Sequence, residues 1–178
     1  MKKIKFLTPL LLLALLAGCS QLMGPSASDY MERNLSVWNS LIAKFNQWSD
    51  GSKAEQLNAK LEERKGLVEM KPVLDTARAE TVTLRESMQQ QPVPEDAQEL
   101  HAKTMASLDS AVEWFDAMLK LTALPDDFSN EQAQPLLDAV DSAAGKFDTL
   151  TDELDVMQEA YAKKHRITLQ MQAPSEEE

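Results

Sequence analysis

The chain has 178 residues, a formal net charge of −11, two histidines, one cysteine and five glycines. That length suits one ordinary domain and is enough to bury a sizeable core. The acidity excludes electrostatic binding to nucleic acid or to the anionic face of a membrane, and a lone cysteine excludes an internal disulfide.

At the N-terminus, Lys2, Lys3 and Lys5 precede an apolar run from Phe6 to Leu16, broken only by Thr8 and Pro9; small residues then lead into Cys19. This is the order of a secretory signal, and the run is shorter than the ~20 residues of a spanning helix. Leu16-Ala17-Gly18-Cys19 resembles the lipobox of bacterial lipoproteins. The resemblance implies that residues 1–18 are a signal peptide and are removed. It also implies that the Cys19 thiol is diacylated, with a third chain on its amine in many species. One acyl chain binds a bilayer only marginally, at ~0.8 kcal/mol per buried methylene, so two or three are needed to hold the protein there. Ser20 rather than Asp follows Cys19, which in the sorting rule of Gram-negative lipoproteins implies the outer membrane, periplasmic side. The resemblance ends with these residues and carries no family for the mature domain. Cleavage takes away three lysines and no acid, so the formal charge falls from −11 by three, to −14.

Residues 19–28 contain Gly24 and Pro25 and read as a lipidated tether. The bundle domain is expected over 29–171. Its first helix runs from Asp29 to Ser49, with Met31, Leu35, Trp38, Ile42 and Phe45 in alternating steps of four and three. Gly51 marks the stop, and Ser52 with Glu55 suggests a capping box for the next helix. That second helix spans Ser52 to Gln90 with a defect inside it. Leu57, Leu61 and Val68 form one stripe; Leu67, Met70, Leu74, Ala77, Thr81, Leu84 and Met88 form another, offset by ~100°. Gly66 and Pro72 sit at the changeover, and an interior proline removes a hydrogen bond, so a kink or break is expected at 69–72.

The loop 89–94 follows, with Pro94 suited to the first helical position and Glu95 and Asp96 suited to the dipole. The third helix reaches about Ala123 on Met105, Leu108, Val112, Phe115 and Leu119. After a loop from Leu124 to Asn130, the fourth and longest helix carries Leu136, Val140, Ala143, Phe147, Leu150, Leu154, Met157 and Tyr161. Ser129 with Gln132 suggests its capping box, and Pro135 is expected to delay its regular start. Residues 172–178 read as an acidic disordered tail. The class is all-α, an up-down antiparallel bundle of four helices with the second kinked or broken near Pro72. The first helix is expected to accompany the second only up to Pro72, which leaves the surface beyond it either folded over or open to a partner.

No residue pattern names a reaction. His101 and His165 are expected to lie ~14 residues, or ~21 Å, out of level across the last hairpin. Neither has a glutamate three positions before it, because position 98 is Gln and position 162 is Ala, and no haem-attachment motif is present. The methionines and Trp38, Trp48 and Trp114 read as core. Acidic pairs such as Glu62-Glu63, Asp126-Asp127 and Asp152-Glu153 read as a solvated face. The expected catalytic, cofactor-binding and metal residues are therefore none, and Cys19 is the one assigned site. The expected partners are the membrane, through acyl chains, and another envelope protein, with no nucleic acid. A non-enzymatic binding or structural module leads. An acidic inhibitor or immunity protein against a basic toxin or cell-wall hydrolase is the alternative, and a carrier of a small ligand or lipid is third.

Overall fold

In the computed structural model, which describes residues 25–169, every regular element is helical. α1 is Ala27–Ser49, α2 Ser52–Glu63, α3 Lys71–Gln89, α4 Gln98–Leu121 and α5 Asn130–His165, with 3-10 turns at Leu67–Met70 and Glu95–Ala97. The signal peptide, Cys19, most of the tether and the acidic tail lie outside the described residues.

α1, α3, α4 and α5 form the up-down bundle, and ion pairs report its register. Lys44 meets Glu80, while at the other end of the same pair Gln91 Nε2 donates to the Tyr30 carbonyl at 3.2 Å. Arg78–Asp116 and Arg85–Asp109 join α3 to α4; Lys146–Glu113 and Lys103–Glu153 join α4 to α5. Such exposed pairs are screened by solvent and contribute little; burial holds the fold. Toward the chain's entry, Tyr30, Met31, Trp38, Leu41, Leu108, Phe147 and Leu154 close one core. Trp48, Leu57, Leu67, Leu74, Trp114, Phe115, Met118 and Phe128 close a second at the far end. Phe45 links them, its ring centroid 4.3 Å from Trp114 and 4.4 Å from Phe147. The three tryptophans are core, as are Met31, Met70, Met88 and Met118.

The break in the second helix is real and lies earlier than the interval 69–72. α2 ends at Glu63; Arg64 and Gly66 both take left-handed φ, 52° and 70°, and a 3-10 turn leads into α3. Pro72 sits in the first turn of α3, where its missing N–H removes nothing. The chain is turned by Arg64–Gly66, and the proline then starts the next helix. The α4–α5 loop clamps this knuckle: Asp127 N donates to Arg64 O at 2.8 Å, Gly66 N to Asp126 at 2.9 Å, and Arg64 Nη2 to Asn130 at 2.7 Å.

Consequently α1 packs against α3 as well as against α2. The surface beyond Pro72 has its fourth neighbour, because α2 is only 12 residues long and reaches from the last turn of α1 to the α4–α5 loop. Other expectations shift locally. Gly51, not Ser52, occupies the N-cap of α2, with no side-chain cap bond. A Cβ at Gly51 would stand 2.9 Å from Gln47 Cα, so the turn demands glycine there. Val68, placed on the α2 stripe, is 63% exposed because the 3-10 turn rotates it outward. On α4, Val112 and Leu119 are only half-buried, while Leu100, Ala111, Trp114 and Met118 face inward. α4 touches three neighbours, so its buried surface is wider than one stripe. The Ser129–Gln132 capping box forms as expected, and α5 starts at Asn130 and runs through Pro135 without delay.

Candidate functional site

The chain enters at the end of the bundle where α1 begins, α3 passes into α4 and α5 finishes. Cys19, the one assigned site, lies outside the described residues; Pro25, the first described, is six positions after it. Six residues reach at most about 20 Å, so a chain anchored through Cys19 keeps this end beside its anchor.

A buried polar layer crosses the core here. Asn34 Nδ2 donates to Thr104 Oγ1 at 2.8 Å, and Gln158 Nε2 donates to Asn34 Oδ1 at 2.8 Å. All three are at most 4% exposed. One turn nearer the entry, the rings of His101, Tyr30, Tyr161 and His165 follow one another at centroid distances of 6.2, 5.9 and 4.5 Å. Burial raises the Tyr30 and Tyr161 phenols and lowers His101. Asp96 is held low, chiefly by Lys164 and further by His165.

The two histidines lie toward the same end but do not meet, as expected: His165 pairs with Asp96, and His101 is reached only through the rings of Tyr161 and Tyr30. The α4–α5 register, fixed by Lys103–Glu153 and Lys146–Glu113, carries the end of α5 past the start of α4, and His165 falls level with Asp96, 2.8 Å away. The rings of Tyr30 and Tyr161 stand between the histidines. Among the described residues no group of three His, Cys, Asp or Glu side chains is placed to hold a metal ion, and no helix is long and apolar enough to cross a membrane.

Two outer surfaces stand out. Open clefts run along the α1–α3 seam, one of about 530 Å³ between Lys44 and Glu80 and one of about 350 Å³ between Val37 and Ser87. The other is a face of α5. Asp141, Asp148, Asp152, Asp155 and Glu159 are exposed, follow one another at helical spacing and make no ion pair among the described residues. Gly145 falls in the same row with nothing within 4 Å of its would-be Cβ. Burial raises the Asp155 carboxyl; a bond from Trp38 opposes this, and the neighbouring charges of Asp152 and Glu159 add to it. Read as adjacent pairs along the chain, such as Asp152-Glu153, these carboxylates do not show as a row. The three-four spacing that finds apolar stripes finds it too. Asn34 had a similar signal, a polar residue midway between Met31 and Trp38 on an otherwise apolar face.

Compared with protein-family models, curated proteins and solved structures, the chain matches none, so its own geometry has to carry the functional reading.

Proposed function

We propose that this chain is a bacterial outer-membrane lipoprotein, anchored by acyl chains on Cys19 and facing the periplasm. In this reading it is a non-enzymatic module that binds another envelope protein. The observation that carries the binding role is the unpaired acidic face of α5. Five exposed carboxylates at helical spacing on one helix place like charges side by side; Asp155 is raised chiefly by burial, with Asp152 and Glu159 adding to it, and a basic partner surface relieves that repulsion. Complementary charge speeds encounter and fixes register more than it adds raw affinity.

The same face favours a second, narrower reading: an inhibitor or immunity protein that neutralises a basic toxin or cell-wall hydrolase. Photoreactive residues placed at Asp148, Asp152 and Glu159 in living cells test the first reading, with Ser40 and Thr83 on the α1–α3 seam as comparison sites. A crosslinked envelope protein specific to α5 supports it. Crosslinks from the seam alone, or from neither surface, defeat it. If the captured partner is a hydrolase or toxin whose activity the purified chain suppresses, and the suppression weakens sharply above ~0.15 M salt, the second reading stands.

A further inference from the structure

The end of the core nearest Pro25 contains polar atoms that the protein itself leaves without partners. Tyr30 from α1, His101 from α4 and Tyr161 from α5 bring their rings together there, with Tyr30 centred 6.2 Å from His101 and 5.9 Å from Tyr161. The two tyrosines are 1% and 5% exposed. Tyr30 Oη, Tyr161 Oη and His101 Nδ1 are all buried, and none has a hydrogen-bond partner among the described residues.

The adjoining polar layer leaves them short of partners. Asn34 gives one N–H to Thr104 and accepts from Gln158, and the Thr104 hydroxyl donates to Leu100 O at 2.9 Å. The second N–H of Asn34 stands near enough to the Tyr30 oxygen to oppose the rise of that phenol, but it supplies no acceptor for the Tyr30 O–H and does not reach Tyr161 or His101. Ser110 Oγ and Trp114 Nε1 also lack partners, but they lie one turn apart on a single helix, whereas the Tyr30 group converges from three. Buried hydroxyls in folded proteins are almost always bonded, and one left alone destabilises the fold.

We infer that Tyr30, His101 and Tyr161 build an internal site for a small neutral molecule that both donates and accepts hydrogen bonds, with water or a water-sized polar solute as its two sources. Each phenol can donate once and accept, and a neutral imidazole nitrogen adds one further contact; a buried water typically makes about three such bonds. Neutrality follows from the surroundings, since burial disfavours the charged form of all three groups. Occupied, the site joins α1, α4 and α5 through one molecule. This inference is independent of the partner proposed for α5.

The test is a crystal structure of the purified chain at a resolution that shows ordered water, together with thermal unfolding of Tyr30→Phe and Tyr161→Phe. Phenylalanine keeps the ring and removes only the hydroxyl, so both variants retain the packing. The expected result is ordered density bonded to at least two of the three atoms, and a Tm lowered by about 2–4 °C in each variant. A single-atom peak identifies water; longer density identifies a polar solute in the same site. Hydroxyls bonded only to protein atoms, or phenylalanine variants that melt higher than the parent, overturn the inference.

Discussion

Asn34 on α1 donates a hydrogen bond to Thr104 on α4 across 2.8 Å, seventy residues away in sequence, with both side chains fully buried. Because Asn34 also accepts from Gln158, one amide sets the height of α1 against two helices at once. A slip of α1 by one turn would break both of these bonds and leave the buried amides of Asn34 and Gln158 without them. Asn34→Ala is therefore expected to lower unfolding stability by about 2–4 kcal/mol, since it leaves the buried Gln158 amide without its partner, removes the donor to Thr104 and opens a gap in the core. Urea denaturation followed by circular dichroism measures this. A loss under about 0.5 kcal/mol would show that the layer does not set the register.

The knuckle makes its own prediction. Gly66 sits at φ 70°, and a Cβ there would stand 3.1 Å from Lys60 Nζ. Gly66→Ala should cost about 1 kcal/mol, mostly through the left-handed backbone, because the lysine tip can move aside. Arg64→Gly should relieve its own left-handed φ while losing the bonds to Asn130 and Phe128 O. If the clamp matters more than the backbone, Arg64→Gly destabilises; a rise in Tm would reverse that ranking.

Acidification should weaken the entry end of the bundle through His101. Its folded pKa lies below the ordinary 6.5, with burial as the cause. The unfolded chain therefore binds a proton that the folded chain refuses, and stability is lost as pH falls below about 6.5. One such group contributes a slope of at most about 1.4 kcal/mol per pH unit. Melting curves between pH 7.5 and 5.5 should show His101→Gln losing less stability than the parent over that span. Equal losses in the two proteins would rule out His101 as the cause.

Anchoring is tested at Cys19. With Ser in its place, acyl transfer has no thiol to use, and the protein should leave the membrane fraction for the soluble one. Fractionation followed by immunoblotting reads this directly. Retention on membranes at the parental level would remove the lipoprotein reading and, with it, the reason to place the Pro25 end near a bilayer.

Much of the architecture was legible before any coordinates, since amphipathic spacing is local chemistry. Stripes such as Trp38 and Phe45 on one helix or Phe147 and Leu154 on another require one face to be buried and the other to be wet. The glycine at position 51 and the Ser129–Gln132 pair mark boundaries for reasons contained within a few residues. The lipobox pattern is equally local, and with it the expectation of an anchor. Which helices lie side by side is a different kind of fact. A left-handed Arg64 turned the chain before Pro72 could, and that brought α3, besides α2, against α1. The α4–α5 register brought His165 level with Asp96, a pairing that no count along the chain gives, while His101 stays apart from it behind two tyrosine rings. The partnership of Asn34, Thr104 and Gln158, and the gathering of Tyr30, His101 and Tyr161, depend on three helices settling at one height. The sequence by itself determined the helices, their apolar faces and the expected anchor; only the tertiary structure decided their neighbours and register, because those follow from summed packing over distant residues, not from any local preference.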